Sequence, residues 1–60
     1  MNNHVLAYEI LNYLEQTGTP QFIFQIEWYI KADIKEILIE LIWLKKKGKI
    51  YLNGMLVALE

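Results

Sequence analysis

Sixty residues make one domain at most, and a domain of that size buries only about 60% of the surface its unfolded chain exposes. Hydrophobic residues are 55% of the chain, above the usual share of about 45–50%, so there is more apolar side chain than one small core can hide and association is expected. A formal net charge of −1, with no arginine and no serine, excludes a strongly basic nucleic-acid binder and the bidentate arginine–guanine contact, while the lack of cysteine excludes disulfides and thiolate metal sites.

Asn3 is a cap residue for a first helix over about 4–16. Ala7, Ile10, Leu11 and Leu14 keep the i, i+3, i+4, i+7 spacing of a core stripe, with Leu6 and Tyr13 as a secondary apolar edge. Gly18 ends this helix. Residues 17–20 read as a turn, and Thr19-Pro20 resembles a cap followed by proline at the first helical position.

Residues 21–30 carry two patterns. Phe22, Phe24, Ile26, Trp28 and Ile30 alternate as in a strand, while Ile23, Ile26, Tyr29 and Ile30 keep helical spacing. A short strand over 21–24 followed by a short helix over 25–31 reconciles them. One strand over 21–30 is the competing reading.

Residues 33–47 form the best-marked element, a helix of about four turns. Asp33 can cap it, and Glu36, three residues on, can reach back to the Asp33 amide. Lys45, Lys46 and Lys47 suit the negative end of the helix dipole, and Gly48 sits where chains leave helices in a left-handed conformation. At about 100° per residue, Ile34, Ile37, Leu38, Leu41 and Leu44 make a core stripe. Ile39 and Trp43 fall near the opposite pole, Ile42 lies between, and Lys35, Lys46, Glu36, Glu40 and Lys47 flank the second stripe. So small a chain is expected to cover only one of the two stripes internally, which makes Ile39, Ile42 and Trp43 a candidate partner or dimer interface. Coverage by another part of the same chain is the alternative. After Gly48, Asn53-Gly54 signals a type I′ hairpin turn between two short strands, with Ile50 and Leu52 on one face and Tyr51 on the other.

No catalytic constellation is present, and the chain reads as non-enzymatic, without a cofactor or metal site. The single histidine, His4, reads as a solvent-exposed residue in the first helical turn. Glu36 and Glu40 read as capping and surface charge rather than as paired carboxylates. Phe22, Phe24, Trp28, Tyr29 and Trp43 could stack on single-stranded bases, but such residues are more often core or interface. No stretch reaches 18 apolar residues and the N-terminus lacks a signal-peptide pattern, so a cytoplasmic protein without a membrane span is expected.

The order of helix, short strand, short helix, long helix and C-terminal β-hairpin is similar to the winged helix-turn-helix superfamily. The resemblance spans nearly the whole chain. Its most specific part is Leu41-x-x-Leu44-Lys45-Lys46-Lys47-Gly48-Lys49-Ile50, which looks like a recognition helix running into a wing tipped by Asn53-Gly54. Lys31-Ala32-Asp33 would be the turn between the paired helices. The resemblance implies an α+β, winged-helix-like single domain over 1–60 whose long helix would enter a major groove with Lys35, Glu36, Ile39, Glu40 and Trp43 outward. Two carboxylates and two large apolar groups read a groove poorly. Lys31, Lys35, Lys45, Lys46, Lys47 and Lys49 could hold phosphates at the rim, or simply be solvated. Two functions are therefore expected to compete: a dimeric DNA-binding transcription regulator with duplex DNA as partner, and a protein-interaction module that binds another copy or another protein without DNA.

Overall fold

The computed structural model describes residues 4–60. The element order is α1 (Val5–Thr17), β1 (Gln21–Phe22), α2 (Ile23–Ile30), α3 (Ile34–Lys46), β2 (Ile50–Asn53) and β3 (Leu56–Leu59). It is a small α+β domain of three helices and a three-stranded antiparallel sheet ordered β1-β3-β2. The layout agrees with the one expected from the sequence.

Helical spacing places the core. Ala7, Ile10 and Leu14 of α1, Ile23 and Ile26 of α2, and Ile37, Leu41 and Leu44 of α3 meet Ile50 of β2 and Val57 of β3. Each isoleucine, leucine or valine so buried is worth about 1.5–3 kcal/mol relative to exposure. Leu6, Tyr13, Ile34 and Leu52 are partly buried around it.

Local chemistry sets the boundaries, and several differ from expectation. Asn3 lies outside the described residues. The helix starts at Val5, preceded by His4 in a left-handed conformation (φ 57°). Gly18 ends α1 at φ 67°, its amide donating to the Leu14 carbonyl. Pro20 does not open a helix but leads into β1. The strand stops at Phe22, two residues sooner than expected, and α2 begins at Ile23 rather than Gln25, which removes the single-strand reading of 21–30. The Gln25 side chain makes this early start possible, its Oε1 accepting from the Phe22 amide at 2.8 Å. Asp33 caps α3 by accepting from the Lys35 amide at 3.0 Å. Among the described hydrogen bonds, Glu36 does not return one to the Asp33 amide, so the expected reciprocal box is one-sided.

At the end of α3 the Gly48 amide donates to Lys45 and the Lys49 amide to Leu44, with Gly48 at φ 72°. That is the paired bonding by which a left-handed residue satisfies the last carbonyls of a helix. In the hairpin, Asn53 pairs with Leu56, so the turn is centred on Gly54-Met55 rather than Asn53-Gly54. Only Gly54 has positive φ (60°). Glycine at the first central position belongs to the type II′ pattern and not the expected I′. Ile50 is buried, Leu52 partly so and Tyr51 exposed, as alternation requires.

Candidate interaction surfaces

Among the described residues, twelve large apolar side chains stay exposed, so the core does not absorb the excess expected from composition. Six of them lie on two helices, Phe24, Trp28 and Tyr29 on α2 and Leu38, Ile39 and Ile42 on α3.

The first face is the outer side of α3. Its inner stripe is Ile37, Glu40, Leu41 and Leu44, rotated from the expected one. Leu38, expected in the core, therefore points outward, and Glu40, expected among surface charges, is buried at 6% exposure. Leu38, Ile39 and Ile42 are exposed by 42%, 58% and 53%. On the 100° wheel Lys35 and Lys46 lie on the same outward line, one at each end of the aliphatic patch, with Lys45 on one flank and Glu36 on the other. Ile39 is on the side where the sequence placed it, and Ile42, expected between the two stripes, is exposed beside it.

Trp43 is not. It is half-buried, because the start of α1 leans on it. The His4 ring stacks on its indole with centroids 3.6 Å apart and planes 9° from parallel. Tyr8 meets the indole edge-on at 6.4 Å, and the Lys47 ammonium lies 5.8 Å from the ring centroid. His4 Nδ1 is 2.9 Å from Glu40 Oε1. His4 is thus not a solvent-exposed residue of the first turn. Its left-handed backbone turns the ring back over α3, where it serves a buried carboxylate and covers a tryptophan. Nothing in the sequence pattern signalled this long-range contact.

All six lysines are exposed, and none forms an ion pair with another described residue. Lys31 caps α2 in a left-handed conformation (φ 62°), Lys35 and Lys45 to Lys47 lie on or next to α3, and Lys49 precedes β2. They surround α3 at both ends, as the sequence suggested. The Glu36 and Glu40 pair separates into one exposed and one buried carboxylate.

The second face is on α2 and was not recognised as a unit. Phe22, Phe24, Trp28 and Tyr29 are exposed by between 45% (Phe22) and 80% (Trp28). Phe22 and Phe24 stack at 5.4 Å, and Tyr29 stacks on Tyr13 of α1 at 4.4 Å. Tyr13 also donates to Gln21 Oε1 at 3.1 Å. Trp28 stands between two shallow hollows, one lined by Tyr13, Phe24, Gln25 and Tyr29, the other by Phe24, Glu27, Lys31 and Ala32. The usable signal was the i, i+4 pairs Phe24–Trp28 and Gln25–Tyr29, which share a face once the helix starts at Ile23.

Among the described residues no group of histidines and carboxylates could hold a metal ion, and no helix is long and apolar enough to cross a membrane. No family model, curated protein or solved structure matches this chain.

Proposed function

We propose that this chain is a non-enzymatic protein-interaction module of winged-helix type. It docks through the outer face of α3 onto an apolar stripe bordered by acidic residues. The element order, with a hairpin following the long helix and β1 pairing onto β3, supports the winged-helix reading. One observation carries the interaction reading. The line of α3 that would face a DNA groove is occupied by Leu38, Ile39 and Ile42, all exposed. Aliphatic groups offer no hydrogen bond to a base edge and could contact only thymine methyls. Against a protein stripe they bury fully, and Lys35, Lys45 and Lys46 at their border pair with acids and repel basic partners.

A second reading, a small DNA-binding regulator, is favoured by the six exposed lysines without acidic partners among the described residues. Lys31, Lys35, Lys45, Lys46, Lys47 and Lys49 would then contact phosphates.

Ile39→Lys separates the two. Binding is measured by anisotropy, across a salt series, to a labelled duplex and to a designed amphipathic helix whose leucine stripe is edged by glutamates. The interaction reading expects peptide binding that Ile39→Lys removes, with negligible duplex binding at moderate salt. Duplex binding that falls steeply with salt, and that the added lysine tightens, would replace it with the regulator reading.

A further inference from the structure

We propose that the aromatic face of α2 is a self-association surface, on which a second copy of this chain docks across a two-fold axis with the two α2 helices antiparallel. This goes beyond the proposed partner at α3 and does not rest on it, since the two faces share no residue.

Area is the first argument. Aromatic side chains bury about 150–250 Å² each, so Phe22, Phe24, Trp28 and Tyr29 at their exposures leave on the order of 450 Å² of ring surface open per copy. That is roughly half of the ~800 Å² per partner in a standard interface. Tyr13, Gln21, Gln25, Glu27, Lys31 and Ala32 form a rim around it. Composition agrees: interface centres are rich in tryptophan, tyrosine and phenylalanine.

Charge is the second argument, and it selects the occupant. Glu27 and Lys31 lie one turn apart on the same flank and line the same hollow beside Trp28. A two-fold axis perpendicular to the helix keeps that flank on the same side and reverses its direction. Glu27 of each copy then faces Lys31 of the other, giving two complementary pairs around the opposed tryptophans. Applied to α3, the same operation opposes Ile39 to Ile42 but also Lys35 to Lys46, a like-charge contact at both ends. The flank charges of α2 complement themselves under this operation, and the end charges of α3 do not. Single-stranded nucleic acid also stacks on exposed aromatics, but it needs a cationic groove along its backbone. The rim here offers Lys31 with Glu27 beside it.

The test is sedimentation equilibrium of the full chain from micromolar to millimolar concentration, with circular dichroism to verify folding. The wild type is expected to dimerise, and Trp28→Lys to raise the dissociation constant roughly thirty-fold or more. Glu27→Lys and Lys31→Glu are each expected to weaken the homodimer a few-fold, and an equimolar mixture of the two to restore association. A wild type that stays monomeric throughout would overturn the proposal. So would a dimer indifferent to Trp28→Lys, a dimer dissolved by Ile39→Lys instead, or charge variants that do not rescue each other. Quenching of Trp28 by oligothymidylate, in a chain that does not self-associate, would assign the face to nucleic acid.

Discussion

The outer faces of α2 and α3 are both apolar and exposed, yet they are built differently. On α2 the surface is aromatic, and its flank carries an acid and a base one turn apart, Glu27 and Lys31. On α3 it is aliphatic, with Lys35 and Lys46 at its two ends, Lys45 on one flank and Glu36 on the other. A chain this small leaves apolar side chains outside whatever it does. The comparison teaches that border charge, not apolarity, limits what each face can meet. An acid and a base one turn apart on one flank tolerate their own copy, and lysines at both ends of a stripe ask for something acidic.

The largest effect sharpens the contrast between the two sides of α3 itself. Ile37 is fully buried and Ile39, two residues on, is 58% exposed. Ile37→Ala is expected to destabilise the domain by about 2–5 kcal/mol in urea unfolding, and Ile39→Ala by no more than about 0.5 kcal/mol. Equal costs would mean that the outer face is covered within the subunit, and the comparison would fail.

Next comes the flank of α3. His4→Ala removes a hydrogen bond to the buried Glu40 and the stack on Trp43. A loss of about 1–2 kcal/mol is expected. In a Trp28→Phe background the remaining tryptophan emission should shift to the red. An unshifted spectrum would return Trp43 to the exposed stripe.

Two smaller effects leave both faces intact. Gly54→Ala places a side chain at φ 60°, and a cost of about 1 kcal/mol is expected from thermal unfolding. Asp33→Ala removes the α3 cap, with a cost of about 1 kcal/mol expected from urea unfolding. Either variant altering self-association beyond its effect on stability would show that the faces are not local. Smallest of all in stability, Ile39→Lys should stay within about 0.5 kcal/mol of wild type while abolishing capture of the acidic peptide. Intact capture would remove Ile39 from that surface.

Much of the fold was legible because local rules agreed with one another. The α1 stripe, the α3 helix with Asp33 before it and Gly48 after it, and the alternation of Ile50, Tyr51 and Leu52 all rest on short-range chemistry. The start of α2 was missed because aromatic alternation imitates a strand, and only the Gln25 cap decides it. The α3 face was read partly in error for a different reason. A 100° wheel fixes which residues share a side, but only tertiary packing fixes its rotation toward the core. That rotation exchanged Leu38 for Glu40. Burial of a carboxylate cannot be inferred from its own helix when its partner, His4, lies 36 residues away. That the lysines, Ile39 and Ile42 are exposed was legible because exposure follows from charge and from the side of a helix. The α2 face was missed as a unit because its members were assigned to two different elements.

The most direct measurement uses a soluble paramagnetic probe and nuclear magnetic resonance of the full chain at rising protein concentration. The account predicts that the Trp28 indole signal becomes shielded from the probe as concentration rises, while the methyl signals of Leu38, Ile39 and Ile42 remain broadened. Shielding of those methyls instead, with Trp28 left accessible, would contradict it.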